Sequence, residues 1–582
     1  MPEIPRMNPS DFIVLAPKIV LAVWGLLVLT VDFALLRRRA TTARRQILGA
    51  LSLVGGALAL LAVGAPGWVG YGSAARRSAP MFFGTLDGGL LSEGMDTLLL
   101  VLLLLVVVMS MTWNFTEHWG EYFALLLWST VGMMFLVAAE ELLILFLTLE
   151  MMTICLYLAA AFEKGKRRSA EGGLKYFVYG SVSSALFLFG LSLIYGMAGS
   201  TRFSAIGVAL FGGGAANNGL SGNVAGATAL LLILVGFGFK IAAVPFHQWA
   251  PDAYEGAPAP VTAWIATGSK VASVVALMKV LLHALGPWSS GVDAQGAAQS
   301  LSPGWIGLLA VIAAATMTFG NFAALAQRNL KRMLAYSSIS HAGYILVGVL
   351  AAAVSVDHAG AVAAVLFYLV VYSFSTIGAV AAAAWLARDV GSDDIDDLNG
   401  LGRRSPLLGV CLTLLMLSLI GMPPLAGFVG KFMMFGEALD ARVPGRVSFL
   451  WLGALGLFNS VVSAFYYVRV LKAMFLRDPK RASALGPAPA SVWVPIVAST
   501  LVVVGFGLQA TPLLGRLVGP GNTPLLAGLE HRPPVLPARQ GAAQLPTDLP
   551  DSDDNASPTP TPTTTTTPPE PTPPPASGAK AP

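Results

Sequence analysis

The sequence predicts an all-α, polytopic membrane protein of about fourteen transmembrane helices. Three observations predict it. Hydrophobic residues make up 55% of the 582-residue chain and charged residues only 12%, with a mean hydropathy of +0.70. Apolar segments of about 20 residues, the length that spans a bilayer as helix, recur from end to end. Lysine and arginine gather in alternate connections between them. The net charge of +5 is therefore a topology signal rather than a nucleic-acid footprint.

The segments lie near 12–36, 46–64, 95–112, 121–138, 141–162, 172–198, 225–246, 258–285, 303–325, 330–355, 359–387, 405–438, 447–475 and 490–510. The first ends in three arginines and lacks a small-residue cleavage site, so it reads as a membrane helix and not a signal peptide. The fourth and fifth are separated by almost nothing, at Glu140 and Glu141. The basic connections are RRRATTARR (37–45), EKGKRRSAEGG (163–173), QRNLKR (327–332), RDVGSDDIDDLNGLGRR (388–404) and the stretch from Arg469 to Arg481. All fall on one side, which the positive-inside rule makes cytoplasmic. The opposite side carries Arg76, Arg77, Arg202, Arg442 and Arg446, and both termini.

The chain divides into 1–94 (two helices and an outer loop), 95–300 (helices three to eight), 301–480 (helices nine to thirteen), 481–531 (helix fourteen and a C-terminal segment) and 532–582 (a disordered Pro/Thr-rich tail). Residues 65–94 and 199–224 are Gly-, Ala- and Ser-rich without a sustained period and read as outer surface excursions. The tail contains PTPTPTTTTTPPEPTPPP, a composition that builds no core and favours extended polyproline II. Cys155 and Cys411 stand alone in apolar runs. Without a CxxC, a CxxCH or a spaced His/Cys cluster, the pattern argues against iron–sulfur, c-haem or zinc in this chain.

The informative charges are those inside helices: Glu150, Lys175, Lys240, Lys270, Lys279, His341 and Lys431. A charge at the bilayer centre costs about 2.5–3.5 kcal/mol on insertion scales. Glu150, in ILFLTLEMMTICLYLAAAF, needs a partner, and a lysine on a facing helix such as Lys240 is the obvious one. Such a pair can be a static pin, but a series of lysines exceeds what pinning needs. Burial weakens an ammonium's hold on its proton and a nearby carboxylate strengthens it. Two ammonium charges roughly 10 Å apart repel by about 1.7 kcal/mol at an effective dielectric of ~20. Protonating one lysine thus biases the next about tenfold.

Two helices read as broken. Pro245 follows Lys240 in GFGFKIAAVPFHQWAPDAYEGAPAPVTAW (236–264), and LSLIGMPPLAGFVGKF places Pro423, Pro424 and Gly427 before Lys431. Proline inside a membrane helix frees carbonyls that protein or water must satisfy, and broken helices beside a charge mark ion pathways. The alternative is a packing kink. His247, Asp252, Tyr254 and Glu255, in the turn after the seventh helix, can gate protons or cap helices. His341, behind Ser337, Ser338 and Ser340, reads as part of a polar row or as a satisfied buried histidine. Lys175 lies near the cytoplasmic end, where it can snorkel. Lys279 and His283 fall at the outer end of the eighth helix, outside a central relay.

EGGLKYFVYGSVSSALFLFG, GFGFKIAAVPFHQWAPDAYEGAPAPVTAW, NLKRMLAYSSISHAGYILVG and GMPPLAGFVGKF carry a resemblance. The chain resembles the subunit N family of proton-pumping NADH–quinone oxidoreductase (respiratory complex I). It is similar also to the wider group of Mrp-type cation/proton antiporter subunits. The match covers roughly 95–480. PDAYEGAPAPVTAW and the lysine of GFVGKF look like subunit N rather than subunit M, where a glutamate is expected at the latter place. The resemblance implies an antiporter-like fold with two inverted five-helix repeats, helices four to eight and nine to thirteen. It implies a proton path through Glu150, Lys240, Lys270 and Lys431, with Lys175, His247 and His341 at secondary positions. It implies other complex I membrane subunits as partners, a bacterial inner membrane, and no cofactor in this chain. NAD, FMN, iron–sulfur clusters and quinone are expected in partner subunits. The expected function is proton translocation driven by quinone reduction elsewhere; the alternatives are a Mrp-like antiporter subunit and a non-transporting scaffold.

Overall fold

The computed structural model describes residues 9–64, 80–212, 224–286, 304–354, 358–440, 449–478, 486 and 488–511. The Pro/Thr-rich tail, outer-loop residues 65–79 and 213–223, and Arg76, Arg77, Arg442, Arg446 and Arg481 lie outside them. Among the described residues, 13 helices are long and apolar enough to cross a membrane. The remaining crossing is the twelfth, which is split into Pro406–Ile420 and Ala426–Asp440. Among the described residues, strand pairing is limited to a two-residue antiparallel pair, Pro80–Met81 with Leu86–Asp87, and isolated bridges such as Glu141 with Arg202.

The spans sort by how much lipid they meet. The eighth (Ala259–Ala284), tenth (Leu330–Val354) and eleventh (His358–Arg388) are 100%, 94% and 94% buried along their most apolar stretch, against 28% for the first (Asp11–Leu36). An apolar helix enclosed on all sides is free to carry polar groups, because other helices supply their partners. The enclosed spans are the ones that hold Lys270, Lys279 and His341. The eleventh packs on the start of the eighth, on the tenth and on both pieces of the twelfth. It thus links the chain's two halves.

Both breaks are as the sequence placed them, but the chain turns earlier than the prolines. The seventh helix runs Val224–Ile241, not to 246. It stops where Ala242 takes a left-handed conformation, φ +59°, which disfavours continuation of a right-handed helix. The first piece of the twelfth stops at Gly421, φ +91°, a conformation open to glycine without a Cβ penalty. Pro245, Pro423 and Pro424 then lie in the connections. Counting from the fourth span and from the ninth, the broken span is the fourth in each group.

Three local readings need correction. The connection after the seventh span is not an open turn: Trp249–Gly256 is a short helix, with Trp249 stacked on Tyr176 of the sixth span at 4.1 Å and 8°. The outer excursion 199–224 contains a helix, Phe203–Gly212, packed on the end of the eighth span. The third helix begins at Leu90 rather than 95, which brings Glu93 inside it. The tight connection between the fourth (Trp119–Ala138) and fifth (Leu142–Ala160) spans stands because Glu140 is anchored by Lys279 of the eighth span.

The pieces of the twelfth span meet backbone to backbone. A Cβ on Gly427 would fall 1.8 Å from the Ser418 carbonyl oxygen, and neither backbone can yield. Gly427→Ala is expected to lose roughly 3 kcal/mol or more of packing at the break, read as loss of assembled subunit in detergent extracts compared with Gly436→Ala, whose Cβ meets open space.

Candidate functional site: a buried lysine series

Lys240 is the penultimate residue of its helix, and its side chain is 2% exposed. Its Nζ donates to Thr153 Oγ1 at 2.8 Å. Glu150 is its charge partner at 3.9 Å, Nζ to Oε1, too far for a hydrogen bond. Glu150 instead accepts from Ser184 Oγ at 2.5 Å. The pair is thus loose, and each member is held by a hydroxyl rather than by the other's charge. The Tyr157 and Phe239 rings lie 5.7 and 5.2 Å from the ammonium, within cation–π reach. Glu150 is 23% exposed and shares a helix face with the exposed Leu143, Leu147, Ile154 and Leu158.

Lys270 follows a π-helical turn, Ile265–Ser269, and a second such turn, Val280–Ala284, follows Lys279. π-Turns inside α-helices collect at functional positions. Lys270 Nζ donates to both the carbonyl and the hydroxyl of Ser338, at 2.6 Å each, and lies 5.2 Å from the Tyr372 ring. Its neighbours are therefore hydroxyls, a carbonyl and a π face.

Lys431 sits at the second break. Its Nζ donates to the Leu419 and Ile420 carbonyls at 2.9 Å each and to Ser460 Oγ at 3.1 Å. The last carbonyls of a helix lack intrahelical donors and carry the negative end of its dipole, so the ammonium both caps and is stabilised by the half-helix Pro406–Ile420. The Tyr344 ring lies 4.7 Å away.

His341 connects these two surroundings. Its ring lies 5.2 Å from that of Tyr372, beside Lys270, and 5.6 Å from that of Tyr344, beside Lys431. Nδ1 is 2.5 Å from Tyr368 Oη, while Nε2 is buried without a partner. It is thus only half satisfied, against the reading of a fully satisfied core histidine. The tyrosines Tyr344, Tyr368 and Tyr372 and the hydroxyls of Thr153, Ser184 and Ser460 were not legible as site residues. Their sequence signal, a polar side chain in an apolar run, is common to many core positions.

At the start of the sixth span Lys175 does not snorkel alone. It pairs with Glu171 and Asp252 at 2.7 Å each. Arg332 pairs with Asp252 at 2.7 Å and with Glu255 at 3.0 Å, and Arg168 closes the chain on Glu255 at 3.1 Å. Asp252 and Glu255 are therefore ties between the sixth span, the short helix and the tenth span. Burial works to raise the Asp252 carboxyl, but Lys175 and Arg332 outweigh it and hold the group below its ordinary value. His247 stands apart from that network. It rests on Phe319, ring centroids 4.5 Å apart, with Nδ1 buried and unpartnered. Burial lowers its proton affinity against a weaker opposing contribution from the Pro245 backbone. A wide cavity of about 810 Å³ opens between Lys166, Arg168, Glu255, Arg388 and Asp393.

Three further intramembrane charges, Lys18, Asp32 and Asp96, do not stand out in the sequence. Lys18 pairs with Asp96 at 2.5 Å, both side chains within 5% of full burial. Asp32 holds Arg44 at 2.7 Å. Lys279, toward the C-terminal end of the eighth span, is wholly buried and pairs with Glu140 at 2.7 Å. Among the described residues no group of three or more His, Cys, Asp or Glu could hold a metal ion; Cys155 and Cys411 are free and buried.

Fold and site together define a multi-pass, antiporter-like membrane subunit built around a buried lysine series. Residues 139–456 match the family profile described as NADH:quinone oxidoreductase/Mrp antiporter, TM. The chain is 40% identical over 490 residues to an NADH-quinone oxidoreductase subunit N of Acidobacterium capsulatum, covering 81% of this chain and 92% of that one. It is 38% identical over 504 residues to the subunit N of Chlorobium chlorochromatii, covering 85% and 92%. Its structure superposes on a chain of respiratory complex I from Thermus thermophilus with TM-score 0.67 and 31% identity, covering 86% and 99%. A chain of the Mrp complex from Dietzia shares the fold, with TM-score 0.71 at 20% identity, covering 90% and 100%. The chain belongs to the NADH-quinone oxidoreductase subunit N family.

Proposed function

We propose that this chain is a proton-translocating membrane subunit of a NADH-quinone oxidoreductase, driven by quinone reduction in partner subunits. The observation that carries it is the series Lys240, Lys270 and Lys431, each buried and each held by hydroxyls or carbonyls rather than locked in a close carboxylate pair. A lysine so held can give up or take a proton without leaving a carboxylate stranded. Protons are taken up from the cytoplasm at Lys240, whose affinity Glu150 sets. They pass through Lys270 and the His341–tyrosine group to Lys431 and leave outward. Lys175 and His247 lie at the cytoplasmic approach, Lys175 as part of the ion-pair ties.

The orientation that supports this path puts the basic connections inside and both termini outside, in a bacterial inner membrane. The chain itself carries no redox group; NADH, flavin, iron–sulfur clusters and quinone belong to partners. A neighbouring membrane subunit covers the fifth span, because Glu150 lies on its exposed stripe and a carboxylate facing lipid is costly.

Lys270→Met tests the reading in the assembled complex reconstituted in proteoliposomes. Its proton pumping and quinone-coupled turnover are expected to fall together, while NADH oxidation with an artificial acceptor at the peripheral arm is unchanged. An assembled variant that pumps protons and turns over quinone at the parent rates would leave only the scaffold role. Purification without a quinone reductase would favour the Mrp-like antiporter role.

A further inference from the structure

The outer side of the first half holds a second lysine–carboxylate group that the Lys240–Lys270–Lys431 path does not use. Lys18 of the first span meets Asp96 Oδ2 of the third at 2.5 Å. Asp96 is 4% exposed, and its other oxygen, Oδ1, is buried without a partner. A small cavity of about 20 Å³ lies against it, lined by Lys18, Asp87, Ser92, Glu93 and Asp96. Asp87 lines the same cavity. It accepts from Gly89 N at 2.8 Å and Ser92 Oγ at 2.9 Å, and its Oδ2 lies 3.8 Å from Lys279 Nζ. Lys279 is in turn 2.7 Å from Glu140, and His283 Nδ1 is 3.9 Å from the other Glu140 oxygen.

We propose that this cavity holds one water molecule bridging Asp87 and Asp96, and that the water joins the Lys18–Asp96 and Lys279–Glu140 pairs into one proton-exchange site on the outer face. The inference rests on the proton-translocation reading and extends it to residues outside the Lys240–Lys270–Lys431 series.

Size and chemistry fit the occupant. A water needs about 10–15 Å³ of such space and two to four polar partners. Asp96 Oδ1, the Asp87 carboxylate, Lys18 and Ser92 supply them. A metal ion does not fit, because the Lys18 ammonium faces the same space. The charge balance fits as well. Asp87, Asp96 and Glu140 outnumber Lys18 and Lys279, with Glu93 and His283 at the margins, so the group carries an unmatched negative charge that an extra proton neutralises. Glu140, in the connection between spans, shows the strength of the lysine side. Burial opposes ionisation, yet Lys279 and His283 pull the carboxyl down to about 2. Glu140 therefore stays ionised, and the proton-accepting carboxylate is the one with a free oxygen, Asp96. On uptake an O–H bond forms at Asp96 Oδ1 as the bridging water breaks one of its own O–H bonds and is reprotonated, through the Asp87 carboxylate, by a proton that leaves the Lys279 ammonium. On release that bond breaks and the proton returns through the water to the partly exposed rim at Asp87 and Glu93.

The site is also placed at the end of a helix that already carries a path residue. Lys279 follows Lys270 on the eighth span by nine residues, about 13 Å of helix rise. Between them Ser273 is wholly buried with an unpartnered hydroxyl.

Two measurements on the assembled complex test the proposal. An experimental density map that resolves waters is expected to show one within about 3.2 Å of both Asp87 and Asp96; a dry cavity overturns it. In proteoliposomes Asp96→Asn, which keeps the shape of the side chain, is expected to lower the protons released outward per NADH oxidised while artificial-acceptor activity stays intact. If Asp96→Asn does not assemble, Asp87→Asn serves, because its amide oxygen still accepts from Gly89 N. Unchanged stoichiometry in the variant that assembles overturns the proposal. Should Lys270→Met lower pumping while the outer variants leave the stoichiometry unchanged, the outer site alone fails; should every variant pump at the parent rate, the underlying reading fails.

Discussion

Replacing Lys240 by alanine is expected to cut proton pumping and quinone-coupled turnover at least about tenfold, equivalent to roughly 1.4 kcal/mol on the coupled barrier, without preventing assembly. The local geometry separates the two effects. The lysine is two residues from the left-handed Ala242 that ends its helix, and alanine is a good helix former. Its loss frees Thr153 Oγ1, which still donates to the Leu149 carbonyl. It leaves Glu150 with its Ser184 hydrogen bond, so the carboxylate keeps a donor when the ammonium is gone. What disappears is the ammonium itself, the group near Glu150 that exchanges a proton. Proton release and NADH oxidation measured together in proteoliposomes check the result, with artificial-acceptor reduction as the control for the peripheral arm. An assembled Lys240→Ala complex that pumps and turns over quinone at the parent rates would falsify the relay.

The charges of this relay were legible because they violate composition. A lysine or glutamate in a run such as GFGFKIAAV or FLTLEMMTI is conspicuous, and so is a proline pair inside a membrane segment. The partners were not legible. Ser338 lies 68 residues from Lys270 and Thr153 lies 87 from Lys240, and nothing local marks one hydroxyl among many. The tyrosines around His341 read equally well as core. Lys18 and Asp96 escaped notice for a different reason. Each stands near the end of an apolar run, where a charge reads as a boundary, and only the fold brings them together across 78 residues. In the polar turn at 247–256 the residues were conspicuous but their roles were open between gating and capping. The fold gives a third answer, in which Asp252 and Glu255 tie the sixth and tenth spans through Lys175, Arg168 and Arg332.

Lys431 calls for a different pair of substitutions, because it has two jobs that Lys240 does not combine. It is a proton-exchanging ammonium, and it is also the donor to the Leu419 and Ile420 carbonyls at the end of a half-helix. Leucine would remove both functions. The two residues sit at 4% and 6% exposure, and a buried acceptor left unsatisfied costs about 1–3 kcal/mol. Ser460 Oγ still donates to the Ile420 carbonyl at 3.0 Å, so Lys431→Leu strands the Leu419 carbonyl and is expected to lose about 1–3 kcal/mol at the break, enough to deplete the assembled subunit. Glutamine keeps a side-chain N–H₂ of nearly matching reach and cannot carry a proton across. Lys431→Gln is expected to assemble to a level near the parent and to pump at least about tenfold less. Subunit content in purified membranes and proton release in proteoliposomes separate the outcomes. If glutamine restores both assembly and pumping, Lys431 serves as a cap alone and the path must leave the membrane elsewhere. If it restores assembly alone, the ammonium at the second break does what its burial against two carbonyls, a hydroxyl and the Tyr344 ring equips it to do, which is to hold a proton that it can also release.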